Sequence, residues 1–290
     1  MTTSSDSLIK PRSLWRDAAR RFARNRLAVV ALVVILLIVL VTLLAPVLAP
    51  YPYDKQDYKA SAQTPSRQHL MGTDLLGRDV FSRVIYGGRI SISLAVLVQL
   101  AAVSIGMPLG AWAGFKGGTV DQIVMRVVDF MMAFPSLLLA LLLLVALGPG
   151  YSNVLFALIV VSWPFICRLV RGQVLSLRES EFVVAARASG ASDRRIVMKH
   201  ILPNTFSVVI VAATLGLPAT IFREAGLSFI GIGIVPPTPS WGQMVGENYM
   251  AIQSSWHMSV FPALVLGLAI LAFTLVGDGL QDALSPRERR

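Results

Sequence analysis

A few ionisable residues stand within long apolar stretches, where a charge is expensive and suggests a function. Arg126 and Asp129 are three positions apart and would share one face of a helix, so we expect a structural ion pair rather than a proton relay. Glu224 directly follows Arg223. Adjacent residues do not face each other on a helix, so we do not expect a direct ion pair between these two. Asp129 and Glu224 are the candidates for a path or gate across a membrane, and a structural role at a helix end is the alternative for Glu224.

The other chemistry-bearing residues form no catalytic or metal-binding pattern. His69, His200 and His257 lack the H-x-x-H or H-x-x-x-H spacing of a metal site. The single cysteine, Cys167, excludes an internal disulfide framework and a thiolate cluster, and we expect a buried, inert thiol. No G-x-x-x-x-G-K-[ST] segment is present, so no P-loop binds ATP in this chain. The sequence predicts no metal, no bound cofactor and no catalytic activity.

Composition assigns the chain to the membrane. Of its 290 residues, 55% are hydrophobic and 14% are charged, whereas soluble domains are about 25% charged. The formal net charge is +10, and the basic residues cluster beside apolar blocks, as the positive-inside rule requires. They include Lys10, Arg12, Arg287, Arg289 and Arg290 near the termini. No base-reading motif accompanies this charge, so the lipid bilayer, and not nucleic acid, is the expected partner.

Six apolar blocks predict six transmembrane helices. The first, 27–44, would be about 27 Å long, close to the thickness of a hydrocarbon core. It exceeds the apolar region of a signal peptide, so we expect a retained helix. The other blocks are 90–115, 123–147, 153–169, 205–232 and 258–280. Prolines predict kinks and nearby glycines predict close packing; these residues are Pro108, Pro135, Pro164, Pro218, Gly106, Gly110, Gly114 and Gly216.

The charge pattern and the even number of spans place both termini in the cytoplasm. The predicted organisation is a basic cytoplasmic N-terminus 1–26, a first helix 27–44, an extracytoplasmic segment 45–89, a five-helix core 90–280 and a basic tail 281–290. The core contains a cytoplasmic loop, 173–204, and an outer loop, 233–257, whose prolines exclude helix at its start.

The segment before the second span contains two oppositely charged pairs at helical spacing. Asp74–Arg78 and Asp79–Arg83 would order this segment if 75–86 is helical, and contact with an external protein is the alternative. Four tryptophans fall near predicted interfaces, as aromatic belts do, namely Trp15, Trp112, Trp241 and Trp256.

Residues 181–204, EFVVAARASGASDRRIVMKHILPN, predict two short helices around a glycine. The first meets Gly190, a natural helix stop. Ser192 or Asp193 can cap the second, and Pro203 ends it. The result is a compact knob whose small residues allow another protein's backbone to approach. A membrane-surface helix that anchors the bundle fits these residues equally well.

This segment resembles the "EAA…G…LP" cytoplasmic loop of bacterial ABC importer permeases, here VAARASG followed by HILPN. Val184 stands where the family loop often has glutamate, and Glu181 lies one turn earlier. HLMGTDLLGRDVFSRVIYGGRISI (69–92), MRVVDFMMAFPSLLLA (125–140) and EAGLSFIGIGIVPPTPSWGQMV (224–245) look like the C-type permease subunit of peptide/nickel-type importers.

The resemblance implies an all-α integral membrane protein with the type I ABC importer permease fold, in the bacterial cytoplasmic (inner) membrane. Its implied partners are a similar but distinct permease subunit, two cytoplasmic ABC ATPases that carry ATP and Mg, and an external substrate-binding protein. We expect the ATPases to dock on the loop at Glu181, Ala185, Ala186, Arg187, Gly190, Ala191, Ser192, Arg195, Leu202 and Pro203.

The expected function is translocation of di- or oligopeptides by alternating access, driven by the partner ATPases. Import of nickel or another small solute by the same machinery is an alternative, because in such systems the binding protein largely sets selectivity. A proton-coupled secondary transporter with Asp129 or Glu224 as the relay is a second alternative. A membrane-anchored enzyme is disfavoured, because the longest non-membrane stretch, 45–89, is too short for a catalytic domain.

Overall fold

The computed structural model describes residues 14–284. The predicted basic residues Lys10, Arg12, Arg287, Arg289 and Arg290 lie outside this range. Within it the chain is helical: α1 Leu14–Arg24, α2 Arg26–Leu43, α3 Ala45–Leu48, α4 Val80–Lys116, α5 Gly118–Met132, α6 Ser136–Leu147, α7 Tyr151–Leu177, α8 Glu181–Ala188, α9 Asp193–Ile196, α10 Leu202–Phe229, α11 Trp241–Asn248 and α12 His257–Leu284.

Five helical segments in the described chain are long and apolar enough to cross a membrane, and there are six if a bent pair of helices counts as one span. This agrees with the six predicted spans on that count, although several helices extend further than expected. The second span is the clearest case, since α4 begins at Val80 and reaches about 55 Å in 37 residues. It therefore projects beyond the hydrocarbon layer.

The third span is broken rather than straight. Helices α5 and α6 are bent by 87° across the break between Met132 and Ser136. Pro135 lies in this break; it lacks a backbone N–H and disfavours helical geometry in the residue before it. Pro108, Pro164 and Pro218 lie inside continuous helices. The kink predicted at Pro135 within the span 123–147 is therefore a full break between two shorter helices.

The centre of the bundle is the close contact between α4 and α7. Three glycines on one face of α4, at positions four apart, let the two backbones approach. A Cβ at Gly106 would lie 2.7 Å from the Trp163 carbonyl oxygen, and one at Gly110 would lie 2.3 Å from that of Cys167. Gly114 packs in the same way farther along α7. The close packing predicted from these glycines is confirmed.

The predicted outer loop contains a buried helix, α11. Turns and bends without regular helix precede it, as the prolines at 236, 237 and 239 predict, and Ser240 then caps its first turn by accepting a bond from the Gln243 N–H. Trp241 is fully buried, and its indole N–H donates to the Val84 carbonyl at 2.9 Å. The prediction that Trp241 belongs to an aromatic belt was wrong, because this side chain fastens α11 onto α4.

Candidate functional site: docking segment, outer network and central cavities

The docking segment, residues 181–204, begins with helix α8 and turns at Gly190. The Gly190 N–H donates to the Arg187 carbonyl, and the Ala191 N–H donates to the Ala186 carbonyl. These two bonds form a Schellman motif, which needs a left-handed residue at its turn. Gly190 supplies it, with φ of +80°. The predicted helix stop is confirmed.

The second half of the docking segment differs from the prediction. Ser192 occupies the N-cap position of α9 without a side-chain cap bond. A π-helical turn, Val197–Ile201, then joins α9 directly to α10. Pro203 was predicted to end this helix, and that was wrong. It lies in the first turn of α10, directly after the π-helical turn, and the chain stays helical through it.

Three buried apolar residues fix the docking segment to the ends of the spans. Val183, Ile196 and Ile201 belong to one hydrophobic cluster with residues of α4 and α7. Outside this cluster, the Lys116 ammonium at the end of α4 lies 3.4 Å from the Asp193 carboxylate. The segment is thus a rigid extension of the bundle.

The docking segment also exposes large apolar side chains. Phe182, Val184 and Met198 are 42%, 55% and 60% exposed, and we call these three the apolar patch. Of the residues predicted to contact ATPases, those that are exposed are Glu181, Ala185, Arg187, Gly190, Ser192, Arg195 and Pro203; those that are half-buried are Ala186, Ala191 and Leu202. Exposure alone does not assign them a contact.

Glu224 is fully buried near the other end of α10. Its carboxylate accepts hydrogen bonds from the Ser91 hydroxyl at 2.9 Å and from the Ser228 hydroxyl at 2.7 Å. Ser228 Oγ in turn accepts from the Ile234 N–H in the following loop. Glu224 therefore joins α4, α10 and the outer loop, and it faces the protein interior rather than a cavity.

An outer ion network of Asp74, Arg78, Arg83 and Glu247 links the segment before α4 to α11. Arg78 Nε lies 2.5 Å from Asp74, and both arginines reach the Glu247 carboxylate at 3.1 Å. The predicted Asp74–Arg78 pair is confirmed, although it lies in a turn and not in a helix. Two acids balance two bases here, so little net charge is buried.

Asp79 does not pair with Arg83, as its spacing had suggested. Its carboxylate caps the first turn of α4 by accepting from the Ser82 N–H at 2.8 Å. The other carboxylate oxygen lies 2.8 Å from His69 Nδ1. A residue directly before a helix is better placed to cap it than to contact its second turn.

Asp129 pairs with Arg168 of α7, and not with Arg126 as predicted. The partners lie on neighbouring helices, and both side chains are open to solvent or lipid. One helical turn farther along α7, Arg171 forms a bidentate pair with Asp121 at 2.5 and 2.9 Å. Sequence spacing within one helix gave no sign of either contact.

Two adjacent cavities open on the face formed by α6, α7 and α10. Their volumes are about 430 and 590 Å³, within the range of small-molecule sites, roughly 300–1,000 Å³. Four residues line both cavities: Val161, Phe165, Ala219 and Arg223. Sequence analysis passed over Arg223 in favour of Glu224, although an arginine inside an apolar span was itself a signal.

Two family models match this chain. One is described as the binding-protein-dependent transport system inner membrane component and matches residues 106–290. The other is the N-terminal TM domain of oligopeptide transport permease C, which matches residues 13–65. The first match covers the broken span, the docking segment, α10 and the outer loop.

Similar proteins cover nearly the whole chain. A dipeptide transport system permease protein of Alkalihalophilus pseudofirmus is 41% identical over 95% of this chain and 90% of that protein. A glutathione transport system permease protein of Escherichia coli O157:H7 is 42% identical over 97% and 94%. Among solved structures, the MetNI methionine ABC transporter in an inward-facing conformation has a TM-score of 0.59 and 21% identity, covering 71% of this chain and 97% of that one. At 21% identity, the similarity to MetNI shows a shared fold.

Proposed function

The chain belongs to the family of binding-protein-dependent transport system inner membrane components, and from that premise we propose that it carries di- or oligopeptides across the bacterial cytoplasmic membrane. Its relatives are named for dipeptide, oligopeptide and glutathione transport. Peptides are the chemistry these names share, and they therefore favour peptide over nickel as the substrate.

The observation that supports a docked ATPase is the apolar patch on the docking segment. The segment between α7 and α10 lies beyond the ends of the spans, where exposed apolar groups contact water unless a partner covers them. Large exposed apolar side chains with a polar rim favour a contact with another protein. Arg187, Arg194 and Arg195 supply such a rim. ATP and Mg would reside on the partner subunits, as would hydrolysis.

The mechanism follows from how the docking segment is attached. Because the π-helical turn Val197–Ile201 joins it to α10 without a break, a displacement of the segment by an ATPase is transmitted along α10. That helix carries the central cavities near its middle and the Glu224 hydrogen bonds near its end. Movement of α10 against α4 and α7 would open the cavities to alternate sides of the membrane.

At the opposite end of the bundle from the docking segment, the outer loop would be the contact surface for another partner. The outer ion network and Glu224 fasten α11 to α4 and α10, which gives a rigid surface for an external binding protein. A second permease subunit would cover the open face of α6, α7 and α10 and complete the path.

The test is copurification of an ATPase with variants of the apolar patch. We expect Val184→Lys, tagged and coexpressed with its natural partners, to lose most of the ATPase that the unmodified chain retains. Ile252→Lys is the matched control, since Ile252 is 49% exposed at the opposite end of the chain's bundle. Equal recovery of ATPase with both variants would contradict docking at this patch.

The transport step needs its own measurement in proteoliposomes that contain the complex and the binding protein. We expect peptide uptake to require ATP and to survive collapse of the proton gradient. If uptake stops when the proton gradient is collapsed, although ATP is present, the result would favour a proton-coupled carrier. Asp129 and Glu224 would then be the candidate proton relays.

A further inference from the structure

Arg223 is the one charged side chain among the residues that line the two central cavities. It lies on α10 and lines both cavities, so a solute at their junction lies beside its guanidinium group. The remaining lining is mainly apolar, with Phe134, Phe222 and two methionines in the larger cavity. An isolated charge in an apolar cavity is a means of fixing one charged group of a ligand.

The side chain points towards the middle of the span. Arg223 Nε donates to the Ala219 carbonyl at 3.1 Å, and Ala219 lies one helical turn before Arg223 on α10. Ala219 is ten residues from the last residue of the helix, Phe229, which corresponds to about 15 Å. The Arg223 side chain is therefore directed along α10 away from the nearer end of the helix.

Within residues 14–284, no acidic side chain pairs with Arg223. The neighbouring Glu224 is turned into the interior and bonded to serines. The two acids of α5, Asp121 and Asp129, pair with Arg171 and Arg168 of α7. Because the backbone bond uses only Nε, the two Nη groups have no acceptor in the described chain. Those two groups form the end of the planar fork that binds carboxylates.

We infer that Arg223 receives the carboxylate of the peptide during its passage, and that the surrounding apolar cavities accept its side chains. This deepens the proposed function and rests on it. The carboxylate is the negative group that all free peptides share, whereas their side chains differ. A fixed cation beside adaptable methionine and phenylalanine surfaces suits that combination, because methionine adapts to varied apolar shapes.

The experiment compares two forms of one apolar dipeptide, with a free or an amidated C-terminus, in proteoliposomes of the full complex with saturating binding protein. Arg223→Gln should slow uptake of the free acid roughly ten- to hundredfold, the value of a charge-assisted hydrogen bond. Uptake of the amide, relative to the unmodified complex, should change little. Arg223→Lys keeps the charge and should recover several-fold over the glutamine variant. Arg89→Gln, at an exposed arginine on α4 outside these cavities, is the matched control and should transport both peptides normally.

Two results would overturn the inference alone, namely normal uptake of the free acid by Arg223→Gln, or an equal loss for acid and amide. Loss of the second permease subunit on purification of the glutamine variant would also overturn it, and would assign Arg223 to a subunit interface. Failure of the unmodified complex to transport either peptide is a separate outcome, since it would overturn the proposed peptide function and this inference with it.

Discussion

Replacement of Gly190 by valine tests whether the docking segment transmits force. In the structure this residue has a φ of +80°, and a Cβ added to it would meet nothing within 4 Å. The substitution therefore creates no clash, and its whole effect lies in backbone strain. Left-handed geometry costs an L-residue about 1–2 kcal/mol, and a β-branched side chain adds to that cost.

This strain competes with the bonds that hold the turn. The turn contributes two backbone hydrogen bonds, from Gly190 and from Ala191, worth together about 1–3 kcal/mol. The two energies are comparable, so valine would leave the turn in its native geometry for only part of the time. The anchors Val183, Ile196 and Ile201 stay buried, at about 1.5–3 kcal/mol each. The segment should therefore stay attached to the bundle while its exposed face is misaligned.

We expect Gly190→Val to reduce ATP-driven uptake about tenfold, while the amount in the membrane and ATP hydrolysis by the complex stay near normal. A tenfold effect corresponds to about 1.4 kcal/mol, within the strain worked out above. Gly190→Asn is the control, because asparagine tolerates left-handed geometry and should transport almost normally. Normal uptake by the valine variant, or equal defects in both variants, would refute the argument from turn geometry.

Three further substitutions test the packing around the path. Gly110→Ala should lower the melting temperature of the detergent-solubilised protein by several degrees, because its Cβ would lie 2.3 Å from the Cys167 carbonyl; Gly172→Ala, into open space on α7, should not lower it. Glu247→Gln should destabilise the outer loop by about 1–3 kcal/mol, since two buried arginines lose their shared charge, and faster proteolysis of that loop would reveal it. Trp241→Phe should loosen α11 by about 1 kcal/mol through loss of one hydrogen bond, and unchanged amide exchange in α11 would count against this.

The spans could be predicted because an apolar run long enough to cross a bilayer is a local property of the sequence. The residues at which these helices begin and end were harder to predict from the sequence. Helix α4 starts at Val80, ten residues before the predicted second span, because polar residues at its start hide it from a hydropathy argument. Arg83 is one of them, and its charge is balanced by Glu247, far away in the sequence. A local pattern does not reveal such a distant partner.

The same limit explains the ion pairs. The spacing argument found Asp74–Arg78, whose partners are four residues apart. It failed for Asp129, whose partner Arg168 lies on another helix. The break of the third span was foreseen only as a kink at Pro135, since a proline removes one hydrogen bond. The 87° bend depends on how α6 packs beside α7, which no local pattern specifies.

Arg223 and Glu224 are adjacent on α10, but one faces the cavities and the other joins helices together. Successive residues on an α-helix are rotated by about 100°, so two adjacent charges inside a span do not share an environment. Glu224 turns inward, where two serine hydroxyls satisfy its carboxylate; Arg223 turns to the cavities with its Nη groups unused. A charge whose hydrogen bonds are complete stabilises one arrangement of the helices. A charge with free donors facing a cavity has binding capacity left for a ligand, and on that ground Arg223 is the stronger candidate for contact with the transported molecule.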